Sequence, residues 1–134
     1  MTRGNAEYIG FLLARAREVL DEAEHLRNAG FTIGVVNRIY YACFYAVSAL
    51  LMLEGQASAK HSGVMSMFDL LWIKPGRFPS EMGRFYHLIF EQRQRGDYQD
   101  LDSFEDADLA LWLAQANSLI AAITAYVESH ADLP

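Results

Sequence analysis

The chain has 134 residues, of which 52% are apolar, 21% charged and 13% aromatic, and its formal net charge is -6. This length is typical of one domain, predicted here over residues 1–134, and the apolar content excludes an intrinsically disordered chain. The single cysteine, Cys43, excludes an intramolecular disulfide and a zinc site made mainly of thiolates.

Five helices are predicted in the intervals between glycine and proline residues. The first runs from about Ala6 to Asn28, with Asn5 as its N-cap and Gly30 as a left-handed residue after its last turn. Its buried face is predicted at positions three or four residues apart, namely Tyr8, Leu12, Ala16, Val19, Ala23 and Leu26.

The second helix is predicted from about Gly34 to Glu54, with Thr32 as its N-cap and Gly55 after its end. Its second half, residues 40–53, is apolar on nearly all sides. Such a helix is buried against several neighbours, so we expect it to be the central helix.

The third helix is predicted from about Ala59 to Ile73, with Ser58 as its N-cap. The fourth begins near Pro79 and ends at about Arg95, because Gly96 interrupts the pattern. Residues 97–102 then form a predicted acidic loop.

The fifth helix is predicted from about Phe104 to Ser129, where Ser103 and Asp106 resemble a capping box. Because no segment of useful length alternates with period two, strands are not expected. The predicted fold class is all-α, an antiparallel up-and-down four-helix bundle with one additional shorter helix, or about five helices.

No membrane segment, metal or cofactor is expected. The longest strongly apolar stretch, residues 39–53, is shorter than the roughly 18 to 20 residues that cross a bilayer. The N-terminal residues lack a signal-peptide pattern, and the lone cysteine suits a reducing compartment, so a cytoplasmic location is predicted. No two histidines lie three or four residues apart, as a helical metal site requires.

The acidic charge balance argues against a general nucleic-acid binder, which usually has a basic face. Seven of the 11 basic residues nevertheless fall within residues 38–95. A local site for an anion is therefore compatible with the composition.

Two polar motifs stand where an apolar bundle is expected. Asn37 and Arg38 lie beside the apolar half of the second helix, so Arg38 must either pair with an acid, such as Asp97 or Glu91, or face a cavity. Lys60 and His61 stand at the start of the third helix.

The free backbone amides of a helix start attract a phosphate, to which Lys60 would add a full charge. The alternative is that this first turn is merely exposed to solvent.

A third polar motif closes the fourth helix and contains Arg93, Asp97 and Tyr98. Arg93 can bind a phosphate, or it can pair internally, because arginine is also favoured at a helix C-terminus by the helix dipole. Aromatic residues of the second helix can stack on a base or belong to the core, namely Tyr40, Tyr41, Phe44 and Tyr45.

At these three motifs the sequence resembles the HEPN family (higher eukaryotes and prokaryotes nucleotide-binding), in its small stand-alone prokaryotic branch. The matching segments, in the family's order and approximate spacing, are Asn37–Phe44, Lys60–Gly63 and Arg93–Tyr98. The resemblance implies a helical bundle that forms a homodimer. It also implies a minimal nucleotidyltransferase as partner, in a toxin–antitoxin-like module.

Many members of that family cleave RNA without a metal, using an arginine and a histidine that are separated by four to six residues. This chain departs from that motif, because Tyr98 stands where the histidine would follow Arg93 at the four-residue spacing. Unperturbed tyrosine, with a pKa near 10, is a poor general base at neutral pH. Ribonuclease activity would therefore require His61 to enter the same cleft as Arg93.

Three functions remain open at this point. The first is a nucleotide- or RNA-binding protein that works with a nucleotidyltransferase, with an anion site formed by Asn37, Arg38, Lys60, His61, Arg93, Asp97 and Tyr98. The second is a metal-independent endoribonuclease toxin, with Arg93 and His61 as catalytic candidates. The third is a non-catalytic interaction or dimerisation protein whose charged residues form internal ion pairs.

Overall fold

The computed structural model describes residues 2–98 and 104–130, and within them every regular element is helical. The elements are α1 (Arg3–Asn28), α2 (Thr32–Leu53), α3 (His61–Phe68), a π-helical segment (Asp69–Ile73), α4 (Ser80–Tyr98) and α5 (Asp106–His130). The predicted all-α bundle of about five helices is confirmed.

Helix α2 is the centre of the bundle, as predicted, because it packs against each of α1, α3, α4 and α5. Its most extensive partner is α1, to which it is joined by a connection of three residues, 29–31. Half of α2 is fully buried, including Ile39, Tyr40 and Leu50 at 0% exposure. One hydrophobic core contains buried side chains from all five α-helices. Cys43 is part of this core.

By length and composition alone, α2 and α5 could each cross a bilayer. Core helices of bundles have the same property, and 61% of the most apolar window of α2 is buried against the other helices. The expected absence of a membrane partner stays a prediction.

Several helix boundaries differ from the prediction. Helix α1 begins at Arg3, because Thr2 and not Asn5 is the N-cap: the Thr2 hydroxyl accepts a hydrogen bond from the Asn5 amide at 3.1 Å. Helix α2 includes Thr32, and Phe31 occupies its N-cap without a side-chain hydrogen bond.

The third helix also starts later than predicted, at His61, with Lys60 at the N-cap. The Ser58 hydroxyl instead accepts from the Lys60 amide at 3.2 Å, within the preceding turn. Beyond Phe68 the helix widens into the π-helical segment, a feature that helical periodicity does not reveal.

The prediction that Gly96 ends the fourth helix is wrong, because α4 continues to Tyr98. A glycine costs a helix only about 1 kcal/mol, and here it permits close packing. A Cβ atom at Gly96 would lie 3.3 Å from the ring of Phe104 and 3.5 Å from Ile33.

Residues 97–98 of the predicted acidic loop therefore belong to α4. The rest of that loop and the predicted cap at Ser103 lie outside the described residues. Helix α5 starts at Asp106, while Phe104 precedes it as a buried residue packed on Trp112.

The predicted buried face of α1 is correct at Leu12, Ala16, Val19 and Ala23. It is wrong at Tyr8, which is 49% exposed, because the adjacent Ile9 takes the inward position.

Candidate functional site

Three helices bring their predicted polar residues to one aromatic ring, that of Tyr41 on α2. The guanidinium of Arg38 lies 5.7 Å from the Tyr41 ring centre, and that of Arg93 on α4 lies 5.3 Å from it. The imidazole of His61, the first residue of α3, approaches the same ring edge-on at 5.8 Å. We call Arg38, Tyr41, His61 and Arg93 the cationic cluster.

The local sequence explains this placement. Arg38 and Tyr41 are three residues apart on α2 and so share one face of the helix. Both are partly buried, at the edge of the bundle where the apolar half of α2 begins. His61 reaches this edge because α3 begins immediately after the connection that follows α2.

Arg93 is held in place by His61 and by a second tyrosine of α2. Its Nη1 atom lies 3.4 Å from His61 Nδ1, and its guanidinium lies 4.9 Å from the ring centre of the buried Tyr40. Cation–π contacts of this kind help to fix the position of a guanidinium.

The protonation states of the site follow from burial and from Arg93. The pKa of His61 is lowered from its ordinary value of 6.5 by partial burial and, secondarily, by the positive charge of Arg93. Its imidazole is therefore neutral at pH 7 and able to accept a proton. Burial raises the pKa of Tyr40 to about 12, so Tyr40 remains a neutral phenol.

Arg38 has internal partners on α2 and α1. The Asn37 side-chain oxygen accepts from Arg38 Nε and Nη2 at 3.1 and 2.7 Å, and Arg38 Nη1 lies 3.4 Å from a carboxylate oxygen of Glu22 on α1. Glu91, one of the two acids predicted to pair with Arg38, is exposed on α4, and the side chain of Asp97, the other, lies outside the described part of the structure. Glu22 is the partner because α1 packs closely along α2.

The remaining predicted residues stand as follows. Asn37 orients Arg38 through the two hydrogen bonds above. Lys60 is exposed at the N-cap of α3, next to His61 in the chain. Asp97 and Tyr98 lie in the last turn of α4, and their side chains are outside the described part of the structure.

The aromatic residues of α2 divide between the two predicted roles. Tyr40 belongs to the core at 0% exposure, whereas Tyr41, Phe44 and Tyr45 are only partly buried. The Phe44 ring lies 4.4 Å from that of His61. The partly buried rings therefore extend the cationic cluster along one side of α2.

A separate polar pair was not predicted. His87 on α4 shares a hydrogen bond with the carboxylate of Asp69, the first residue of the π-helical segment. The two residues are 18 positions apart, so no sequence spacing signals the contact. Across residues 2–98 and 104–130, no group of three or more His, Cys, Asp or Glu side chains is arranged to hold a metal ion.

Comparison with known proteins gives a consistent result. The family model of the HEPN domain matches residues 9–126. A protein named "UPF0332 protein" from Thermotoga maritima is 43% identical over 85% of this chain and 86% of its own length.

Two further relatives come from Methanocaldococcus jannaschii. "Putative toxin MJ0605" is 31% identical over 81% of this chain and 82% of its own length. "Putative toxin MJ0142" is 37% identical over 65% of this chain and 59% of its own length.

Proposed function

The chain belongs to the HEPN domain family, and from this membership we propose that it binds RNA, or a nucleotide, through the cationic cluster and acts as a toxin-like protein. The observation that carries the proposal is the convergence of Arg38, His61 and Arg93 on the ring of Tyr41. Guanidinium groups bind phosphate, and partly exposed aromatic rings stack on bases. The names of the two Methanocaldococcus jannaschii relatives support the toxin-like part.

The local charge supports anion binding despite the acidic composition. Glu22 lies 3.4 Å from both Arg15 and Arg38, so its single negative charge is divided between them. Arg15 also pairs with Glu18, at 3.1 Å.

Binding of single-stranded RNA should depend on salt concentration. If Arg38, Lys60 and Arg93 each contact a phosphate, the affinity should fall by about 18-fold for a fourfold rise in salt, since the slope per contact is about -0.7 on logarithmic axes. Fluorescence anisotropy with labelled RNA, and competition by ATP and GTP, measures this. If the protein binds neither RNA nor ATP nor GTP at low salt, the proposal is wrong.

The assembly is proposed on the same basis. We propose a cytoplasmic homodimer that works with a minimal nucleotidyltransferase in a toxin–antitoxin-like module. Exposed apolar side chains such as Phe31 (63%) and Leu70 (60%) are compatible with a protein interface. A monomeric mass by light scattering argues against the dimer, and failure to co-purify with a nucleotidyltransferase encoded beside it argues against the module.

A second candidate function, a metal-independent endoribonuclease, is favoured by the 3.4 Å contact between Arg93 and His61. Neutral His61 can take the proton of a ribose 2′-hydroxyl, whose oxygen then bonds to phosphorus as the bond to the 5′-oxygen breaks. Arg93 can stabilise the negative charge on the phosphate oxygens. The products are a 2′,3′-cyclic phosphate and a 5′-hydroxyl, which takes its proton from water.

This candidate predicts cleavage of RNA in EDTA. His61→Ala should lose about 100-fold or more of the rate, as general bases contribute that much, while His130→Ala, at the far end of α5, should retain it. A general base must be neutral to accept a proton, and the pKa of His61 is lowered from its ordinary value of 6.5. The rate should therefore rise with pH up to the pKa of His61 and be level at pH 7. Full activity in His61→Ala contradicts the assignment.

A further inference from the structure

A pocket of about 210 Å³ lies beside the cationic cluster, between α1, α2 and the connection from α2 to α3. Its lining is largely apolar and includes two aromatic rings of α2, Phe44 and Tyr45, with Tyr8 on the α1 side and Val64 of α3. The polar groups in the lining include the Ser48 hydroxyl.

The pocket and the cationic cluster are adjacent, with the side chain of Phe44 at both. Phe44 lines the pocket, and its ring is also 4.4 Å from the imidazole of His61. Gln56 and Ser58 line it from the connection that leads directly to Lys60. A nucleotide with its phosphate at the cluster would therefore have this pocket next to it.

From this adjacency, and resting on the proposed RNA binding, we propose that the pocket is a subsite for one unstacked base of single-stranded RNA. The size suits one base, because an engineered cavity of about 150 Å³ holds a benzene molecule. Aromatic walls with a few polar groups are how proteins hold splayed-out bases. Ser48 and Gln56 can each donate and accept a hydrogen bond at a base edge.

The test compares an RNA oligonucleotide with a set of copies that each lack one base. The protein should bind the intact oligonucleotide about fivefold to 150-fold more tightly than the copy that lacks the base held in the pocket. This factor is the usual contribution of one stacked base. Ser48→Leu, which fills the pocket, and Tyr8→Ala, which removes a ring from its rim, should each abolish that difference.

Phe11→Ala is the matched control. Phe11 is an exposed aromatic residue of α1, stacked on Tyr8 at 6.1 Å, but it does not line the pocket. This variant should keep the difference between the intact and base-lacking oligonucleotides. Since Tyr8 is half exposed, Tyr8→Ala tests the pocket even if Ser48→Leu fails to fold.

The outcomes separate the two proposals. RNA binding with no preference for any base position overturns the base subsite and leaves the cationic cluster intact. If the pocket variants keep the base preference but change the molecular mass by light scattering, the pocket is a protein contact and the subsite is wrong. Absence of RNA binding in the unmodified protein overturns both.

Discussion

Replacing Arg93 by alanine is expected to weaken binding of single-stranded RNA by roughly tenfold to 150-fold, which corresponds to about 1.5 to 3 kcal/mol for a hydrogen bond to a charged group. The reason is geometric, because Arg93 lies between the Tyr40 and Tyr41 rings of α2 and the His61 imidazole of α3. Arg93→Lys should restore only part of the affinity, since lysine keeps the charge but loses the planar, stacked donor set.

Arg84→Ala is the control for this prediction. Arg84 is an exposed arginine of the same helix, beside Ser80 and Glu81 at 3.3 Å, and it lies outside the cationic cluster. Its loss should leave RNA affinity nearly unchanged. Because Arg93 is only partly buried, the Arg93 variant should still fold, and its thermal unfolding is measured beside its RNA affinity.

The same pair of variants discriminates RNA binding from a purely structural role. If Arg93→Ala destabilises the fold by about 3 to 5 kcal/mol, the value typical of a broken buried ion pair, and leaves RNA affinity unchanged, the residue is an internal structural group. That result would favour the interaction-protein hypothesis over the RNA-binding one.

Replacing Leu50 by alanine is expected to lower the free energy of unfolding by about 2 to 5 kcal/mol, the usual cost of a cavity at a buried leucine. Leu50 is 0% exposed in the last turn of the central helix. Since small domains have only about 5 to 15 kcal/mol of stability, the loss should be large in a urea or thermal unfolding experiment.

Leu111→Ala provides the comparison, because it is the same substitution at a leucine of α5 that is 55% exposed. It should change the free energy of unfolding by no more than about 0.5 kcal/mol. Similar losses in the two variants would contradict the placement of α2 at the centre of the bundle.

The end of a helix was predictable from the sequence wherever the glycine that follows it adopts a left-handed conformation. Gly30, Gly55 and Gly76 have φ values of 86°, 71° and 81°, and each follows a predicted helix end by no more than three residues. Gly96 was misassigned because a glycine can also be required for close packing, here against Phe104. Only the tertiary structure distinguishes the two uses.

The residue that caps a helix and the residues that face the core were harder to predict than the presence of the helix. Thr2 and Asn5 are both good N-cap residues, and sequence alone does not choose between them. A shift of one position likewise separates the exposed Tyr8 from the buried Ile9.

The polar motifs that meet at the candidate site were predictable, because Arg38, His61 and Arg93 each interrupt an apolar pattern. Their partners were not. The contact of Arg38 with Glu22 depends on which face of α1 lies against α2, and the two residues are 16 positions apart. The pocket beside Phe44 depends on the path of the connection between α2 and α3, which has no periodic pattern.

The most direct test of the account is an NMR titration of the ¹⁵N-labelled protein with a short single-stranded RNA at low salt. We predict that the perturbed amide signals belong to one contiguous surface: residues 37–45 of α2, residues 60–64 around the start of α3, and the neighbours of Arg93 in α4. Perturbations confined to another surface, such as the exposed side of α5, or an unchanged spectrum, would contradict the claim that the cationic cluster binds RNA.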